Sequence, residues 1–182
     1  MVSLRSTQVF SFLALVGTTL AARLNITAIG AHDGLSRFEC WELNAPFMAT
    51  NQTGLEGTRA TALGDVSRMT YNVFPAGFDS PLHPAPGNQW VVLLKGLAFI
   101  TLPNNTSTTF TSTGGETGLF FATDVAELSE QGHGTLFPGG TETLALQIPT
   151  EHNKIPKHRV LHVNKPCTAS EYSQLRNWAV SS

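Results

Sequence analysis

Apolar and polar positions settle into a regular rhythm only from Val66 onward. The stretch VSRMTYNVF (66–74) alternates with a period of two, as a half-buried strand does. Pro75-Ala76-Gly77 turns it. QWVVLLKG (89–96) is a nearly continuous run of β-branched residues and leucine, and LAFITL (97–102) follows, which predicts a hairpin broken at Gly96. TTFTSTGG (108–115), TGLFFATD (117–124), SEQGHGTLF (129–137) and TETLALQIP (141–149) continue the series, with Pro138-Gly139-Gly140 between the last two. Upstream, residues 26–43 read as an irregular lead-in that pairs with a sheet edge, and the polar, Gly-rich stretch 45–65 as loop. Near the end, Thr168 and Glu171 form a capping-box pattern that predicts one short helix. Roughly six to eight short strands separated by Gly, Pro and Asn turns predict an all-β sandwich or barrel.

Composition narrows the functional classes. The chain has 182 residues, enough for one domain with a real core, and a net charge of only −2. That balance excludes nucleic acid as a partner, because a nucleic-acid surface requires a positive footprint. The opening VFSFLALVG (9–17), preceded by Arg5 and followed by Ala21-Ala22, reads as a secretory leader cut after Ala22. Its apolar run is too short to span a bilayer, so no membrane partner is expected after leader removal. The expected layout is a leader (1–22), a lead-in (23–65), a β-barrel (66–150) and a C-terminal extension (151–182). An oxidising compartment makes a bridge between the two cysteines, Cys40 and Cys167, the expected state, against two separate buried thiols. It also makes Asn25, Asn51, Asn104 and Asn105 glycosylation acceptors by sequence, the last two overlapping at a predicted hairpin tip.

The stretch GFDSPLHPAPGNQWVVLLKG (77–96) carries a family resemblance. Gly77, His83, Ala85, Gln89 and Gly96 fall in the spacing of the first cupin motif, with Ala85 at the place of its second histidine and Gln89 at that of its glutamate. His133 in EQGHGTLF stands where the second motif's histidine belongs. Over about Val66 to Pro149 the chain resembles small, secreted, fungal-type single-domain cupins (RmlC-like) with a degenerate metal motif. The resemblance implies a single jelly-roll barrel, a small-molecule ligand or substrate, and a homodimer.

Strand periodicity puts Gln89, Val91 and Leu93 on one face. If that face is inward, His83, His133 and Gln89 meet over an apolar floor, with Phe74, Phe99, Phe120, Phe121 and Phe137 as candidate walls. Two imidazoles can take and return a proton on opposite sides of a substrate while the amide holds a carbonyl or enolate. The expected activity is therefore isomerase, cyclase or dehydratase chemistry on a small organic molecule, in keeping with specialised metabolism. The alternatives are a non-catalytic binding glycoprotein and a metal-dependent cupin oxidoreductase, in which His83 and His133 would hold a divalent metal; no other cofactor is implied. His32, His152, His158 and His162 read as surface residues, and Asp79 and Asp124 as turn formers.

Overall fold

A computed structural model describes residues 22–172. The leader assignment falls outside that range except for Ala22. Eight strands form the central body: β5 (Thr70–Phe74), β6 (Asp79–His83), β7 (Gln89–Lys95), β8 (Ala98–Leu102), β9 (Asn105–Ser112), β10 (Leu119–Ala122), β11 (His133–Leu136) and β12 (Thr143–Pro149). One sheet contains the order β10-β7-β12-β5 and the other the order β6-β11-β8-β9. Apart from the β8–β9 hairpin the chain alternates between the sheets, and all pairings among the eight strands are antiparallel, which is the jelly-roll topology of two interlocked Greek keys. The fold is all-β, with a short C-terminal helix.

Gly96 does not close a hairpin. β7 and β8 lie in different sheets, so the glycine marks a corner where the chain changes layer. Its φ is +97°, and a Cβ there would sit 2.4 Å from Thr143 Oγ1, so conformation and packing both demand glycine. By contrast, LPNN does close a two-residue turn, pairing Leu102 with Asn105.

The lead-in is more regular than its composition predicts. Strands β1 (Arg23–His32) and β2 (Leu35–Pro46) form a long antiparallel hairpin. β1 adds in parallel to β10, which extends the larger sheet to seven strands, and β13 (His158–Val163) closes its far edge against β2. The edge pairing is as expected; the irregularity is confined to the stretch that follows, where only the two-residue strands β3 (Met48–Ala49) and β4 (Arg59–Ala60) form. The sequence pattern misleads because β1 and β2 are buried on both faces, so apolar residues do not alternate with polar ones.

Two apolar layers result. Between the sheets pack Ile29, Phe38, Ile100, Phe110 and Phe120. On the outer face of the large sheet, Ile26, Trp41, Trp90 and Phe121 form a second cluster, partly covered by Leu63, whose carbonyl accepts from Trp90 Nε1. The C-terminal segment plugs one end. Cys167 bonds to Cys40 across 127 residues, Cys167 N donates to Thr27 Oγ1, and Thr27 also hydrogen-bonds the buried Tyr172 hydroxyl. Helix α1 (Ala169–Tyr172) begins as predicted, with the Thr168 backbone N–H and hydroxyl both donating to Glu171 Oε2.

Candidate functional site

Between the two sheets of the jelly roll lies a cavity of about 90 Å³. Roughly 10–15 Å³ suffices for one water, so it holds a few waters or part of a small organic molecule. Its floor and walls include Val91, Leu93, Ile100 and Phe120, and six polar side chains point in: Ser80, His83, Gln89, His133, Thr135 and Gln147. The β7 face that carries Gln89, Val91 and Leu93 is the inward one. Of the aromatic candidates, Phe74, Phe120 and Phe137 line the cavity. Phe121 is outside it, packed edge-on to Trp90, and Phe99 does not line it either, because each neighbours an inward residue on its own strand.

His83 ends β6, His133 begins β11, and the two are directly paired across the small sheet. Their ring centroids are 5.3 Å apart. Gly132 makes this approach possible: its φ is +68°, and a Cβ would fall 2.0 Å from the His83 carbonyl oxygen. The two rings differ in setting. His83 is exposed at the rim, whereas His133 is buried.

Hydrogen bonds assign the ring nitrogens. His83 Nδ1 lies 2.8 Å from the Pro81 carbonyl, which can only accept, so Nδ1 carries the proton. His133 Nδ1 donates to Asp124 Oδ2 at 2.8 Å, and Asp124 is fully buried. Ser36 Oγ donates to the same carboxylate oxygen at 2.8 Å. Since that uses its one hydroxyl proton, Ser129 Oγ must donate to Ser36 Oγ at 2.7 Å, and Ser129 in turn accepts from Gly132 N–H. Every proton in the chain points toward Asp124. The carboxylate therefore holds His133 in one tautomer and leaves its Nε2 lone pair without a partner in this network.

Asp124, read from sequence as a turn former, is instead the anchor of His133. Ser36, Ser129 and Gln147 lie outside the sequence candidates. Ser36 and Ser129 carry no local signal, because their meeting depends on the β1–β2 hairpin reaching the β10–β11 loop, where Glu130 N donates to the Gly34 carbonyl. Gln147 did carry one: in TLALQIP it shares a strand face with buried Ala145, so a polar side chain sits on an inward face.

The other sequence candidates are placed elsewhere. Ala85, at the place of a motif histidine, packs with Ala122 and Val125. His32 and His152 are exposed as expected. His158 and His162 are not free surface residues: His158 stacks on Trp41 at 3.6 Å, and His162 Nε2 pairs with Glu171 at 3.0 Å. Asn51 and Asn104 are exposed and Asn105 is half-buried. Asn25 is at odds with glycosylation: it is buried in β1 and its Nδ2 donates to the Glu171 carbonyl, leaving no room for a glycan.

A metal fits this donor set poorly. Catalytic sites for zinc supply three protein ligands, whereas the cavity offers two imidazoles and two neutral amides, and no carboxylate lines it. A second cluster among the described residues, Cys40, His162 and Glu171, fails because the Cys40 sulfur is in the disulfide.

No protein-family profile matches the chain, and no curated protein matches it in sequence. Among solved structures, it is similar to the polyketide cyclase RemF from Streptomyces resistomycificus, with a TM-score of 0.37 and 16% identity over 73% of this chain and 88% of that one. At that score the likeness says nothing of chemistry. Among the described residues no helix is long and apolar enough to cross a membrane.

Proposed function

We propose that the protein is a secreted enzyme of the cupin type that carries out acid–base chemistry on a small organic molecule, as an isomerase, cyclase or dehydratase. The observation that carries this reading is the buried Asp124–His133 pair beside an apolar cavity, with His83 across the strand pair. His133 Nε2 is the base. It takes a proton from the substrate, and the Asp124 carboxylate offsets the positive charge the ring then bears. His83, in contact with solvent at the rim, exchanges protons with water and returns one to a neighbouring atom on the same side, since the two rings are adjacent on one sheet. Gln89 hydrogen-bonds the oxygen on which negative charge develops. The disulfide accords with secretion, and in that compartment Asn51 and Asn104 are exposed acceptors for glycans. The mostly apolar lining also suits a binding protein without turnover, the second reading.

The test is to incubate a metabolite extract of the source organism with the wild-type protein or with His133→Asn, followed by mass spectrometry. The expected result is a compound converted to an isomer, or to a product lighter by one water, by the wild type alone. Equal conversion by both proteins would sink the assignment of His133. Retention of one compound without conversion would favour the binding protein.

A further inference from the structure

We propose that the cavity selects a neutral carbonyl compound, with Gln89 and Gln147 as a paired-amide clamp on its oxygen and the buried Asp124 charge turning away carboxylates and phosphates. This builds on the acid–base reading above. The β7–β12 register sets Gln147 opposite Val91 and Pro149 opposite Gln89. The two glutamines are therefore diagonal neighbours on the cavity face, with backbones about 7–8 Å apart, a separation long side chains bridge. Each amide has two N–H donors. Gln89 is only 4% exposed, and both glutamines line the cavity. An oxygen acceptor held between them can take a hydrogen bond from each amide.

Charge decides the class of acceptor. No Asp, Glu, Lys or Arg lines the cavity, so an anion entering it meets no permanent positive charge. It meets instead the Asp124 carboxylate, 2.8 Å behind the His133 ring. The Phe74 and Phe137 rings, stacked 4.2 Å apart and within 9° of parallel, line the cavity and add aromatic surface suited to a planar apolar group. A neutral ketone with such a group satisfies all three features; a carboxylate of the same shape fails on charge.

Acetophenone and benzoate make that comparison, since they share a phenyl ring and a planar head and differ in charge. Binding is followed at about pH 8, where an ordinary histidine is neutral, by titration of side-chain amide and imidazole NMR signals. Acetophenone is expected to bind about tenfold more tightly than benzoate. Gln89→Met and Gln147→Met, which keep side-chain volume, should each weaken acetophenone about fivefold while the backbone amide spectrum stays folded. Asp124→Asn should narrow the preference. Benzoate binding as tightly as acetophenone, or unchanged acetophenone affinity in both Met variants, overturns the proposal. The same samples in D₂O separate it from the reading it builds on. Selective binding without deuteration of the acetophenone methyl beyond the His133→Asn background upholds the clamp and removes proton transfer. Deuteration with no charge preference does the reverse.

Discussion

Asp124 and Gly132 show how closely the candidate site depends on single residues. Asp124 accepts from both His133 Nδ1 and Ser36 Oγ, so it orients the ring without lining the cavity. Replacing it with alanine should remove the downfield Nδ1–H proton resonance of His133 and lower turnover about 10³-fold, with a far smaller change in KM. An unaltered Nδ1–H signal would show that the ring is held by something else. Gly132→Ala places a methyl group 2.0 Å from the His83 carbonyl oxygen in a left-handed backbone conformation. The expected cost is about 2 kcal/mol or more, read as a lower urea midpoint, together with loss of the close approach between the two imidazoles. His83, Gln89 and His133 stand out in the sequence by their spacing, and the fold brings all three to one cavity. Asp124 does not stand out, because an aspartate in a turn and one beneath a histidine look alike until the loop is placed.

Among the elements, the C-terminal plug has the clearest pH signature. Burial pushes the Glu171 carboxyl up, but hydrogen bonds from the Thr168 N–H, the Thr168 hydroxyl and His162 outweigh it and hold the pKa below its ordinary value. A depressed folded pKa contributes stability that is present above about pH 4.3, the ordinary glutamate value, and is lost as pH falls through the folded one. Tyr172 is the opposite case: burial, partly countered by hydrogen bonding with Thr27, raises its hydroxyl above its ordinary value of 10.0. Its contribution is present below that pH and is lost as pH climbs through the raised value. Exchange protection of the amides around Cys167 to Tyr172 should thus fall at both extremes, and Tyr172→Phe should abolish the alkaline limb alone. Insensitivity of that limb to the substitution would refute the assignment. The helix start was legible because a capping box is local. The sequence of β1 and β2 looks irregular because two-sided burial removes alternation, the cue on which strand recognition rests.

At the scale of the molecule, the disulfide ties the second strand to the end of the described chain. Closing a loop of 127 residues is worth about 5 kcal/mol in the chain-entropy model, and native bridges typically contribute about 2–5 kcal/mol. Cys40→Ala/Cys167→Ala should lower unfolding free energy by that range in urea. The jelly roll itself should remain, since its eight strands contain neither cysteine. Loss of all strand signal in the double variant would show that the hairpin and tail are required for the barrel to form.

Alternation, turn residues and the Gly77–Gly96 spacing by themselves determined an all-β chain, one shared face for Gln89, Val91 and Leu93, and a short capped helix in the tail. These are properties of neighbours in sequence, governed by strand and turn geometry. Tertiary structure alone decided that β7 and β8 part company at Gly96, that His83 lies at the rim while His133 is buried, and that Ser36, Asp124 and Ser129 converge behind that ring. Those outcomes join residues up to 93 positions apart, and such contacts follow from how the sheets pack rather than from local propensity.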